Sequence, residues 1–162
     1  MPDYAEILLR LLAATLIGCI LGLDRNLHGK PTGMKTHGLV ALGAALVVMA
    51  SLNFDFRPGA YDGQSVSRAI QGLITGIGFL GAGVIVHGNG GERVRGLTTA
   101  ASIWVTAAVG IVCGNGAWRV AGMVTAIVLL LFVVGRPLER SLHRRWLAKS
   151  DDERDTINRH DE

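Results

Sequence analysis

Apolar and polar positions alternate along this chain in long blocks. Five apolar runs stand out: Ile7–Leu23, Gly38–Leu52, Ala69–Val86, Leu97–Cys113 and Ala117–Val134. They are 15 to 18 residues long, near the ~20 that carry a helix across roughly 30 Å of hydrocarbon. Runs this short predict helices that stand upright, or a bilayer that thins around them. The third run is the most telling. It holds glycine at 72, 76, 78, 81 and 83 and no charge. In a water-soluble helix each glycine costs about 1 kcal/mol relative to alanine. In a bilayer the same residues let helix backbones approach closely. The pattern predicts an all-α, polytopic membrane bundle with five transmembrane helices.

Charge sharpens the picture. Residues 36–134 carry eight charged side chains, and 135–162 carry fourteen. This divides the chain into a membrane domain, 1–135, and a polar tail, 136–162. Five spans place Arg25, Lys30, Lys35, Arg93, Arg95 and seven basic residues of the tail on one side, against Arg10, Arg57, Arg68 and Arg119 on the other. Basic residues collect on the cytoplasmic face, so the N-terminus is expected outside and the C-terminus inside. The start, with Asp3 and Glu6, lacks the basic n-region of a cleaved signal peptide, so the first run is expected to persist as a helix. The pI near 9.2 then reflects topology, and no nucleic-acid partner is needed to explain it. In the tail, Leu138, Leu142 and Trp146 recur beside Arg140, Arg144, Arg145 and Lys149. That spacing predicts a basic amphipathic helix on an anionic membrane surface, opened by Pro137 and followed by a disordered acidic end.

The candidate chemistry sits at the cytoplasmic mouth. Asp24 and Arg25 end the first run, and the next stretch adds His28, Lys30, Lys35 and His37. A charged hairpin, Gly88–Gly96, lies on the same side. Asp24, Arg25, Lys35 and Arg95 are expected to form one cluster there, with Thr36, Thr98 and Thr99 beside it. Ionisable groups at the membrane boundary are functional candidates; ordinary topology-setting charge is the simpler alternative. His28 and His37 lack metal-ligand spacing, and no metal site or cofactor is expected. Arg10, one turn after Glu6, suits a structural pair. Cys19 and Cys113 read as small buried hydrophobes.

Gly76, Gly78 and Gly81 match G-x-G-x-x-G, yet a dinucleotide site needs a preceding strand and a helix N-terminus, which a membrane span does not provide. Gly72, Gly76, Gly78, Gly81 and Gly83 are instead expected to pack helices, within the protomer or across a dimer. The alternative is a helix interrupted near Gly78–Gly83, with freed backbone lining a cavity.

Three blocks, GLDRNLHGKPTGMKTHGLVALGAAL, GIGFLGAGVIV and VRGLTTAASIWVTAAVG, occur in the order and spacing of the MgtC/SapB family, which this sequence resembles over residues 6–134. The resemblance implies a helical bundle of the bacterial cytoplasmic membrane. It also implies links to growth at low magnesium, to survival inside host cells and, for some members, to restraint of the ATP synthase. Asp24-Arg25 stands where many members have Glu-Arg, Lys35 where many have arginine, and Thr98 and Val105 where the virulence-associated branch has asparagine and cysteine. With 28 residues after Val134, the chain resembles the short SapB-type branch, without a soluble C-terminal domain.

Two functions compete. One is a regulatory protein that binds a membrane partner, possible homo-oligomers included, through its glycine-rich helices and tail. The other is a cation transporter or channel drawing on Asp24 and a broken helix. Mg²⁺ prefers oxygen ligands, and the spans offer chiefly Thr75, Thr98, Thr99, Ser102 and Thr106. No nucleophile–base pair points to an enzyme.

Overall fold

The computed structural model describes residues 3–27, 29–30, 32–57, 59–85 and 95–147, with backbone alone at 136 and 138–147. The described chain forms five helices: α1 (Tyr4–Leu27), α2 (Met34–Ser51), α3 (Gly63–Val84), α4 (Leu97–Gly114) and α5 (Trp118–Leu147). Their ends follow local chemistry. Asp3 accepts from the Ala5 and Glu6 amides at the start of α1, and Asp62 accepts from Gln64 and Ser65 at the start of α3. Both carboxylates satisfy amides that a helix start leaves without partners. α1 closes on Gly29 and α4 on Gly116, each at positive φ. There the next amide reaches back to the carbonyls of Arg25 and Val112, the geometry that ends a helix on a left-handed glycine.

α2 packs against α1, α3 and α4, and α4 against α1 and α3. Small residues make the closest approaches. A Cβ built on Gly18 would meet the His37 carbonyl at 2.6 Å, and one on Gly22 the Met34 backbone at 2.7 Å. One on Gly114 would meet the Ala45 carbonyl at 2.7 Å, while Gly110 lies against Ala41 and Ala44. The register of these contacts runs α1 antiparallel to α2, and α4 parallel to α2. Alanines 41, 44 and 45 with Val48, Ile103, Ala107 and Val109 fill the interior. Long apolar side chains such as Leu8, Leu12, Leu16 and Leu39 face outward, as lipid-facing surfaces require.

Among the described residues, four helices are long and apolar enough to cross a membrane: α1, α2, α4 and the first part of α5, Trp118–Gly135. Against five expected spans, α3 is the exception. It begins at Gly63 rather than near Ala69, so its early turns include Arg68 and Gln71, and its glycines add little hydropathy. It is nevertheless one unbroken helix through Gly78–Gly83, which removes the interrupted helix as a cavity-lining element. Nor does a strand precede Gly76, Gly78 and Gly81, which lie within α3.

Of the two settings expected for the small-residue face of α3, packing within the protomer is not the one its glycines serve. Nothing lies within 4 Å of a Cβ placed on Gly72, Gly76, Gly78 or Gly83, and Gly81 makes only an ordinary 3.5 Å contact with Ala100. Inside this chain, therefore, close packing falls on Gly18, Gly22, Gly110 and Gly114 instead. α3 meets its neighbours through the other face, where Leu73 and Ile77 join Ile103, Ala107 and Ile111.

The chain divides into two compact units, 1–125 and 126–162. α5 runs through Pro137 instead of starting there. A proline within a helix forfeits one backbone bond, here the one to the Val133 carbonyl. The end of the tail, 148–162, lies outside the described residues, as does most of the charged hairpin, 86–94.

Candidate functional site

At one end of the bundle, where α1 finishes and α4 begins, a cavity of about 480 Å³ is lined by Arg25, Lys30, Val84, Arg95, Gly96, Thr98 and Thr99. The lining residues come from helix ends and from the chain just beyond them. Arg25 lies in the last turn of α1, and Thr98 and Thr99 in the first turn of α4. Gly96 caps α4 at φ 96° with no side chain closing the first turn. Its missing Cβ leaves room for the Val84 carbonyl, which presses directly against it. Only glycine combines that φ with that closeness.

Arg25 is the centre of the site. Its side chain is 1% exposed, and its guanidinium donates to the Thr99 hydroxyl. Arg25 and Asp24 both engage further polar partners. Lys30 and Arg95 are exposed on the cavity rim. The structure thus brings together Arg25, Arg95, Thr98 and Thr99, and adds Lys30, which the sequence placed in the same stretch but outside the cluster. Asp24 is half-buried, Lys35 is exposed, and neither lines this cavity. Thr36 instead edges a separate, mainly apolar groove of about 440 Å³ between α2 and α3.

Behind Thr99 a buried polar seam continues into the bundle, and sequence reasoning missed it as a unit. The Ser102 hydroxyl donates to the Thr99 carbonyl at 2.8 Å, and Thr106 donates to the Ser102 carbonyl at 2.8 Å. His37, fully buried, places Nδ1 3.0 Å from the Gly33 carbonyl and Nε2 3.2 Å from the Ser102 hydroxyl. A carbonyl only accepts, so Nδ1 carries the proton. A neutral ring then needs a donor at Nε2. Ser102 has one proton for two acceptors, the Thr99 carbonyl and Nε2. The i,i+4 spacing of Gly33 and His37, and of Ser102 and Thr106, was the available sequence signal, but only the α2–α4 register joins the two pairs.

The opposite end is built on Arg10. Buried at 7% exposure, it donates through Nε to Glu6 at 2.8 Å and through Nη1 to the Gly114 carbonyl at 2.8 Å. Its guanidinium also lies 3.7 Å from the Phe56 ring centre. A cation on the last carbonyls of α4 complements the helix dipole, and the aromatic face adds a cation–π contact. The pair with Glu6 is as expected, and the tie across to α4 makes Arg10 a fastener of the fold. Among the described residues no group of three or more His, Cys, Asp or Glu could hold a metal ion.

The family model described as "MgtC family" matches residues 11–141, including every described residue that lines the cavity. The chain belongs to the MgtC family. Protein SrpB of Synechococcus elongatus is 44% identical over 114 residues, 67% of this chain and 63% of SrpB. The putative magnesium transporter YhiD of Escherichia coli K12 is 40% identical over 108 residues, covering 65% and 49% of the two chains. Protein MgtC of Salmonella typhimurium is 39% identical over 104 residues, 64% of this chain and 41% of MgtC. This MgtC-family chain therefore spans between two fifths and two thirds of the length of these relatives. No solved structure matches it. Family membership and four membrane-length helices together make it a multi-pass membrane protein.

Proposed function

We propose that this chain is a regulatory or accessory protein of the bacterial inner membrane, linked to adaptation to limiting magnesium. It acts by binding a membrane partner and not as an enzyme. The observation that carries this reading is the sign of the charge at the mouth. Arg25, Lys30 and Arg95 line the cavity there. Mg²⁺ loses its water reluctantly and needs oxygen ligands in octahedral array. A mouth lined by these cations repels such an ion. The magnesium link comes from the family resemblance and from similarity to a relative named as a putative magnesium transporter. The partner surface is the outward face of α3, where Gly72, Gly76, Gly78 and Gly83 leave open ground beside Phe79. Small residues there let another membrane helix approach closely. A membrane complex such as the ATP synthase, or a second copy of this chain, fits that face.

The alternative, a Mg²⁺ transporter or channel, draws on the name of the Escherichia coli relative. Liposomes holding this protein alone separate the two readings. Regulation predicts Mg²⁺ entry no faster than in protein-free liposomes, with photo-crosslinkers at Gly76 and Phe79 capturing a membrane protein in cells. Protein-dependent Mg²⁺ entry that saturates would overturn the regulatory reading.

A further inference from the structure

We propose that the apolar groove between α2 and α3 receives Phe79 of a second copy of this chain, joining two copies about a two-fold axis. This rests on the reading of α3 as the partner face, and it names the partner. The groove, about 440 Å³, is lined by Leu39, Val40, Gly43 and Val47 of α2 and by Leu73 and Leu80 of α3. Phe79 is 83% exposed, the most exposed large apolar side chain among the described residues. The chain thus carries both an apolar knob and an open apolar slot, on one helix.

Their placement on α3 makes the face complementary to itself. At 3.6 residues per turn, Gly72, Gly76 and Gly83 fall in one row along the helix. Phe79 flanks that row on one side, and Leu80, at the edge of the groove, flanks it on the other. When a two-fold axis brings two such rows together, the left flank of each meets the right flank of its partner. Phe79 of each copy then faces the Leu80 edge, and the groove behind it, of the other. Depth agrees as well. Basic residues orient every copy the same way in the membrane, so the axis stands along the bilayer normal and equal levels meet. Phe79 and Leu80 are one residue apart, about 1.5 Å along the helix.

The rest of the face favours protein over lipid. Nothing lies within 4 Å of a Cβ on Gly72, Gly76 or Gly83, so two backbones can approach closely there. Gln71 and Thr75 also turn outward, a poorer surface for lipid tails than the leucines of α1. A lipid chain threaded into the groove would be ordered by it, whereas a ring already fixed on a helix loses little freedom. Each copy inserts one ring and receives one, so the pair closes on itself.

The full chain tests this, carrying a photo-reactive residue in place of Phe79, with two differently tagged copies in one bacterial membrane. The expected product joins the two tags, and mass spectrometry places the far end of the crosslink on Leu39, Val40 or Gly43 of the second copy. Single-molecule photobleaching in liposomes then gives the dissociation constant of the pair. Phe79→Ala removes the knob, and Gly43→Leu fills the slot at a position where a Cβ meets nothing within 4 Å. Each should weaken pairing at least about tenfold without lowering the melting temperature of the protomer. Leu8→Ala, at an exposed apolar site on α1, should leave pairing unchanged. Crosslinks from Phe79 to other membrane proteins alone would overturn the proposal and leave the partner-face reading standing. Crosslinks to no protein would overturn both. Pairing that survives Phe79→Ala and Gly43→Leu, or that Leu8→Ala weakens as much, would also overturn the proposal, because the copies would then meet elsewhere.

Discussion

Arg10 and Arg25 occupy comparable positions near opposite ends of α1, yet the fold uses them differently. Arg10 is closed on all sides by Glu6, the Gly114 carbonyl and Phe56. Arg25 is equally buried but opens onto a cavity. The difference lies in what the rest of the chain brings to each. Exposed charges behave more simply. Asp55 accepts from Arg57 through Nε at 2.9 Å, and that hydrogen bond pulls its carboxyl down from 3.8 to about 2. The folded value lies below the unfolded one, so the pairing contributes fully above about pH 4 and is lost as pH falls towards 2. Titration of the Asp55 carboxyl by NMR should show a midpoint near 2. In Arg57→Gln the midpoint should return towards the ordinary aspartate range. An unchanged midpoint would mean that the pair does not form in solution.

At the scale of the helix, glycine has two opposite uses. On α1 and α4 it is a contact residue, because the Gly110 backbone lies against Ala41 and Ala44. On α3 it is an open surface, with nothing near Gly76. Gly110→Ala should therefore lower the melting temperature of the monomer in detergent, the overpacking costing about 1–3 kcal/mol. Gly76→Ala should leave it unchanged or raise it slightly, since alanine is the better helix former. Equal losses for the two variants would mean that α3 is packed in the monomer after all. The same contrast bears on partner binding. A larger residue at Gly76 should block a helix that docks on α3 without weakening the protomer, and Gly110 cannot be used that way.

For the molecule as a whole, the directions of the helices bear on how often the chain crosses the bilayer. α2 and α4 run in the same direction, so the chain between them must return the length of the bundle. α3 provides the return: its 22 residues span about 33 Å at the usual helical rise. It packs antiparallel on α4, with Gly81 near Ala100 and Leu73 near Ile111. Its composition falls short of the other four helices, but its place among them predicts that it crosses as they do. If α3 crosses, five crossings are expected to put the two ends on opposite sides. Reporter fusions at Asp3 and Glu162 should report outside and cytoplasm respectively, in keeping with the distribution of basic residues. Both ends on one side would show that α3 does not cross.

The helices, their number and their membrane setting were legible in the sequence, because each is decided by local composition. A run of 15 to 18 apolar residues has few other ways to satisfy its backbone in a bilayer. The Glu6–Arg10 pair was equally legible, since i,i+4 neighbours meet on any helix. The charge pattern at the mouth marked Arg25 and Arg95, with Thr98 and Thr99 beside them, and these share one cavity, while Asp24, Lys35 and Thr36 lie outside its described lining. What the sequence could not give was register between helices. Whether a glycine is a contact or an open surface depends on which helix lies opposite, and five glycines in one run carry no label for that. Lys30 joins the basic cavity while Lys35 does not, because the chain turns between them on its way from α1 to α2. The seam linking Arg25, Thr99, Ser102 and His37 joins residues 65 and 74 positions apart. Only tertiary packing brings such residues together, and that packing is what places a buried cation at the mouth of the bundle.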